Sequence, residues 1–178
     1  MIIALAGRRV DAVDASPPRF PLENVANVNR GVQVFLQQHS ATAVVCSAAC
    51  GADLTGLAEA GKLGLRRRVV LPFARDKFRE TSVIDRPGDW ASMYDSILDA
   101  VEAQGDLVVM ANPDADDPYT ATNRVILEEA VALGKASSEA VGALLVWDGV
   151  SRGADDYTDQ FGVEARKRGL DVFEILTT

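Results

Sequence analysis

Six short apolar runs, separated in most cases by stretches of helical periodicity, constrain this chain more than any other feature. The runs are Ile2 to Ala6, Ala43 to Cys46, Arg68 to Leu71, Leu107 to Ala111, Ala143 to Trp147 and Val172 to Leu176. None alternates apolar with polar residues, the pattern of strands covered on both faces. Between them, Leu22, Val25, Asn29, Val32 and Leu36 mark one helical face, and Trp90, Met93, Tyr94, Ile97, Leu98 and Val101 mark another. Further helices are predicted over Asp53 to Leu63, Tyr119 to Leu133 and Asp155 to Arg168, the last closed by Gly169. Strand and helix in this alternation predict an α/β fold: a doubly wound, mostly parallel sheet of about six strands with helices on both faces.

The chain has 178 residues, a formal net charge of −8 and 48% hydrophobic content, which predicts one domain over 1–178 able to bury its own core. The acidic balance weighs against a nucleic-acid polymer as partner, because phosphate-backbone binding is supplied by Lys and Arg in excess. No apolar run approaches the ~20 residues of a membrane span, and Met1 to Leu5 lacks the charged leader of a signal peptide, so a cytoplasmic protein is expected. Cys46 and Cys50 are expected as thiols filling tight space. With a single histidine in the chain, a four-ligand zinc site would need carboxylates. The pieces Ser16 to Pro21 and Asn112 to Pro118 read as surface loops.

In a sheet of this kind the ligand crevice lies beyond the carboxyl ends of the strands, near the point where strand order reverses. The loops there are Gly7-Arg8-Arg9, Ser47 to Asp53, Pro72 to Arg75, Asn112-Pro113-Asp114 and Asp148 to Gly153. Ser47, Ala48 and Ala49 have small side chains and Gly51 can take positive φ. This turn therefore predicts a cup of main-chain amides at the start of a helix, open to phosphate. Gly7, Arg8 and Arg9 would orient the ligand and supply charge, while Ser47, Ala48, Cys50 and Gly51 would contact its phosphate. Asp148, Gly149 and Gly153 would meet the sugar or a second phosphate.

Several residues admit two readings. Asp53 either caps the amides of its helix or reaches a ribose hydroxyl, and Asn123 either caps the helix it begins or touches ligand. Phe73 either covers a base or packs beneath its own loop, and Trp147 either stacks on a base or fills the core. Arg66-Arg67-Arg68, at the amino end of a strand and opposite the crevice, read as a solvated rim. His39 sits where a helix carboxyl end favours a partial positive charge. As the only histidine it makes a Ser-His-Asp triad improbable. The helix carrying Trp90, Met93 and Tyr94 has apolar surface enough to pack inward or to meet a second subunit.

The stretch Val45 to Gly64, V-C-S-A-A-C-G-A-D-L-T-G-L-A-E-A-G-K-L-G, resembles a signature of the SLOG superfamily. That pattern is S/G-G/A-x-x-G-x-D-x-x-A/G-x-x-x-A with a glycine closing the helix. Leu71-Pro72-Phe73, Phe78, Ser82-Val83, Trp90, Asn123 and Trp147-Asp148-Gly149 are similar to SLOG-like domains of signalling proteins. The superfamily groups Rossmann-like nucleotide-binding domains, among them the Lonely Guy phosphoribohydrolases and the DNA-processing protein A family. The resemblance implies a Rossmann-like fold, a small nucleotide as ligand and a homodimer.

Lonely Guy enzymes carry Pro-Gly-Gly-x-Gly-Thr-x-x-Glu after a late strand, whereas this chain has Gly153-Ala154-Asp155-Asp156-Tyr157-Thr158-Asp159. Acidic residues in place of glycines repel a phosphate unless they hold a metal or a sugar hydroxyl. The leading expectation is therefore a binding or sensing domain for a nucleotide or nucleotide-derived signal. It requires no cofactor, with a divalent ion accompanying the phosphate as an option. The second is an N-glycosidic-bond hydrolase or transferase using Asp155, Asp156 or Asp159 as catalyst. The third is an interaction module with a vestigial pocket.

Overall fold

The computed structural model of the chain describes residues 1–111 and 117–178. Its strands are β1 (Ile2–Gly7), β2 (Ala43–Cys46), β3 (Arg66–Leu71), β4 (Leu107–Val109), β5 (Val141–Trp147) and β6 (Asp171–Leu176). They form one sheet in the order β4-β3-β2-β1-β5-β6, with every pairing parallel. The helices are α1 (Val25–Gln38), α2 (Ala52–Lys62), α3 (Arg75–Ser82), α4 (Ala91–Ala103), α5 (Pro118–Ser137) and α6 (Tyr157–Lys167). Strand order reverses between β1 and β5, whose register runs from Ile2 opposite Val141 to Gly7 opposite Val146.

The sheet's two faces are filled differently. Ile3, Leu5, Val44, Cys46, Val69, Leu71, Leu144 and Val146 pack with the apolar residues of α1, α2 and α4. On the other face Ile2, Ala4, Ala6, Ala43, Val45, Ala143 and Leu145 pack with Ile126, Leu127 and Ala130 of α5 and with Phe161 and Ala165 of α6. The alanines on that second face let α5 lie close across β1, β2 and β3. Trp147 fills this core, with its indole Nε1 donating to Glu174 Oε2 at 3.2 Å.

Burial on both faces holds for β1, β2 and β5, but β4 and β6 are sheet edges and only half covered. The strand expected over Leu107 to Ala111 ends at Val109, and Asn112 to Asp116 of the expected loop lie outside the described residues. Arg66, Arg67 and Arg68 belong to β3 itself rather than preceding it. Instead of a solvated rim they include an ion network, in which Arg66 and Arg68 both bond the buried carboxylate of Asp106 and Arg68 also holds Glu129. Helix α3 escapes the periodicity analysis because it is short and charged, burying only Phe78 and Ser82. The apolar stripe of α4 is committed inward, with Tyr94, Ile97, Leu98 and Val101 buried and Trp90 closing the helix start. His39 closes α1 and lies between the rings of Phe35 and Phe173, at 4.4 and 4.5 Å.

Gly51 shows how tightly the crossing from β2 to α2 is built. Its φ is +96°, and a Cβ there would come within 2.7 Å of both the Arg8 carbonyl oxygen and the Val10 amide nitrogen. These are backbone atoms of the β1 loop, which cannot swing aside as a side chain can. Gly51→Ala is therefore expected to cost about 3 kcal/mol in urea denaturation. Gly64→Ala, also at positive φ but with open space around it, should cost clearly less; equal losses would show that close approach is not what Gly51 serves.

Candidate functional site

Above the carboxyl ends of β1 and β2 lies a cleft of about 580 Å³. Its floor comes from Leu5 to Val10, Ser47, Ala49 and Asp53. One wall comes from Phe78, Ser82 and Arg86, and the other from Tyr119, Thr122 and Asn123 of α5 with Arg152, Tyr157 and Thr158 at the start of α6. In a parallel sheet each helix begins where the preceding strand ends, so α2, α5 and α6 all present their positively polarised ends on this side.

The cleft's frame is an ion network centred on Arg8, which is 5% exposed. Its Nε donates to Asp148 Oδ1 at 2.8 Å, its Nη1 to Asp156 Oδ1 at 2.6 Å, and its Nη2 to Asp156 Oδ2 at 2.8 Å and to the Val150 carbonyl at 2.9 Å. Four of the five guanidinium N–H groups are thereby engaged. The guanidinium also stands over the Trp147 ring at 5.5 Å. Arg19 leans on the same Asp148 from a later point of the β1 loop, at 3.3 Å.

Asp156 is fully buried and serves two structures at once. Besides the Arg8 fork it caps α6, accepting the amides of Thr158 and Asp159, and it accepts the amide of Arg152 at 2.9 Å. Burial pushes its carboxyl upward, but Arg8 and these amides more than offset that and hold it below the ordinary carboxylate range.

This geometry corrects several expectations. Arg8 touches the cleft, but its charge is neutralised by Asp148 and Asp156 rather than offered to a ligand. Asp156 has no lone pair left for general-acid or nucleophilic work. Asp155 is exposed, and Asp159 accepts from Ser151 Oγ at 2.6 Å; neither lines the cleft. The cup expected at Gly51 is filled by the β1 loop. The Cys50 amide bonds Ser82 O, the Ala52 amide bonds Arg8 O, and the Ala49 amide bonds Asp53 Oδ2. Ala48, Cys50 and Gly51 are buried behind the floor. Phe73 sets its ring edge-on to Tyr119 at 6.3 Å with the Lys77 ammonium 4.0 Å over it, and does not line the cleft. Asp148, Gly149 and Gly153 likewise fall outside the lining.

Of the expected ligand contacts, Gly7, Arg8, Arg9, Ser47, Asp53 and Asn123 are brought together on the cleft. Gly7 is forced by close packing, since a Cβ there would lie 2.3 Å from Val146 O and 2.4 Å from Ala52 Cβ. Arg9 reaches across the floor and bonds Asp85, while its buried Nε has no partner among the described residues. Asn123 donates to the Tyr157 carbonyl at 2.9 Å, tying α5 to α6 rather than capping its own helix, where Asp117 does so.

Four residues escaped the sequence reading: Arg86, Arg152, Tyr119 and Tyr157. The two tyrosine rings meet at 5.4 Å, tilted by 47°, and form an aromatic corner. Both stand in the first turn of a helix that begins at the crevice, a position that could have flagged them. The side chains of Arg86 and Arg152 are 31% and 49% exposed and, among the described residues, make only loose ion contacts, 3.7 Å to Asp85 and 3.6 Å to Asp156. Among the described residues no cluster of His, Cys, Asp or Glu is arranged to hold a metal, and no helix is long and apolar enough to cross a membrane.

No protein-family model matches the chain, and no curated protein matches it. Among solved structures it is similar to DNA processing protein A (DprA) from Streptococcus pneumoniae, with 13% sequence identity and a TM-score of 0.43. The match covers 96% of this chain and 57% of that one, so the chain spans little more than half that protein's length.

Asp156→Asn is expected to destabilise the fold by about 3 to 5 kcal/mol, because it takes the two-pronged partner from buried Arg8, leaving only Asp148, and sets an amide NH2 against a guanidinium donor. A carboxyl held low contributes stability that is full above its unfolded pKa, near 4, and is lost as pH falls through the folded value. The gap between wild type and Asp156→Asn in urea denaturation should thus be widest near pH 7 and narrow in acid. A constant gap would show that the carboxylate charge is not what matters.

Proposed function

We propose that the cleft binds a small nucleotide or nucleotide-derived signal, and that the domain acts by binding rather than by catalysis. The observation that carries this is the pairing, around one cleft at the point where strand order reverses, of an aromatic corner with two incompletely paired arginines. Tyr119 and Tyr157 offer a wall on which a planar base can stack. Arg86 and Arg152 line the same cleft with guanidinium groups that are only loosely paired among the described residues and can take a phosphate. A volume of about 580 Å³ lies within the usual range for sites that enclose a molecule of this size.

The binding reading ranks above N-glycosidic hydrolysis because the acidic segment Asp155 to Asp159 contributes no carboxylate to the cleft. The α6 cap and the Arg8 fork consume the one that is buried.

Adenosine 5′-monophosphate and cyclic dinucleotides at millimolar concentration are expected to raise the melting temperature. Arg86→Ala and Arg152→Ala should each weaken binding about tenfold, the scale of one charge-assisted hydrogen bond. Each should leave the melting temperature of the free protein nearly unchanged, since neither arginine is tightly paired. No thermal shift with any nucleotide, or full affinity in both variants, would remove this reading.

A further inference from the structure

Besides Arg9, whose Nε is unpartnered among the described residues, Ser47 and Asp53 on the cleft floor have no part in the frame described above. Ser47 Oγ is buried and makes no hydrogen bond among the described residues. Asp53, 8% exposed, uses Oδ2 to accept the Ala49 amide at 3.2 Å, and its other oxygen makes no hydrogen bond among the described residues. Both residues line the cleft. A buried polar group is normally partnered, and Ser47 Oγ left without a partner, on the same ligand-sized floor as an unbonded Asp53 oxygen, is what an unfilled recognition surface leaves.

We propose that Ser47 and Asp53 form the subsite that reads the heterocyclic base of the ligand, with Asp53 Oδ1 carrying a proton and donating it in a hydrogen bond to an acceptor atom of that base. This rests on the nucleotide reading of the cleft and assigns its floor to the base rather than the phosphate.

The position of the proton follows from the contacts. An ionised carboxylate this deep would need several donors, and Asp53 has one amide; Asp156, also buried, stays charged because it has a guanidinium fork and three amides. Since Oδ2 accepts from Ala49, the hydrogen resides on Oδ1, the oxygen left for the cleft.

The groups facing Asp53 do not reverse this. From the β1 loop comes Arg9, whose charge favours ionisation but is shared with Asp85. From β2 comes the Cys46 thiol, itself held neutral by burial. Asp11, elsewhere on the lining, is occupied by the amides of Arg19 and Phe20. Arg8 is neutralised by its own aspartates, and Arg19 leans on one of them. Arg86 and Arg152 pair loosely with Asp85 and Asp156. On balance burial pushes the Asp53 carboxyl up to about 7, against the pull of the Ala49 amide and of Arg9. The dry floor that keeps Asp53 neutral is equally unfavourable to a phosphate, whose charge is better met by Arg86 and Arg152.

The test is adenosine 5′-monophosphate binding by calorimetry at pH 6 and pH 8, with ribose 5-phosphate as a probe that lacks the base. If only the protonated form binds, affinity scales with the protonated fraction, and wild type should weaken about tenfold between these two pH values. Asp53→Asn, whose amide can accept from Ala49 and still donate into the cleft, should bind the nucleotide with no such loss. Ribose 5-phosphate should behave alike in both proteins. Equal pH dependence in wild type and Asp53→Asn would overturn the subsite while leaving the nucleotide reading intact. Binding of neither probe at either pH would remove that reading, and the subsite with it. Carbon-13 NMR of the Asp53 carboxyl in the free protein is a ligand-independent check: titration near 7 is expected, and titration near 4, the ordinary carboxylate value, would overturn the subsite.

Discussion

Everything at the carboxyl edge of the sheet depends on one buried cation. Arg8 leaves the central strand and is met by carboxylates that arrive some 140 residues later, Asp148 from the end of β5 and Asp156 from the start of α6. Charges removed from water are tolerated when their hydrogen bonds are complete, and here they nearly are. The fork joins the two sides of the sheet at the place where strand order reverses, where a parallel fold would otherwise leave a gap between diverging loops. The cleft is therefore held open by a rigid frame, and the residues left over around it are the ones available to a ligand.

Glycine plays the complementary role. Gly7 and Gly51 stand where the β1 loop, β5 and the start of α2 come together, and a single extra carbon at either would strike backbone. Small side chains at a strand-to-helix turn signal close approach, and close approach is what the structure contains. The approaching chain is the protein's own β1 loop. A sequence reports the space required and not the identity of what fills it, so the same residues suggest a phosphate cup as readily as a packed crossing.

The same distinction explains how much of the fold was legible. Six apolar runs and the periodic stretches between them place every strand and five of the helices, because burial writes itself into residue type at each position. Helix α3 was silent: eight residues with one buried aromatic carry too little periodicity. The cleft was half legible. Its loops could be named from strand ends, and Ser47, Asp53, Arg9 and Asn123 came with them. What could not be read was pairing across long sequence separations, which turns Arg8 and Asp156 from apparent site residues into frame. For the same reason Arg86 and Arg152, unremarkable in the sequence, stand out as cleft arginines only loosely paired among the described residues.

Because Asp156 is at once a helix cap and the anchor of Arg8, the three charged residues at the reversal point behave as one inherited unit. Losing any single member weakens the pairing of the others in a buried site, and exchanging all of them together for apolar groups would also have to supply another acceptor for the amides of Arg152, Thr158 and Asp159. Drift at these positions is thus confined to concerted change, and a homologous chain should carry either the whole trio or none of it.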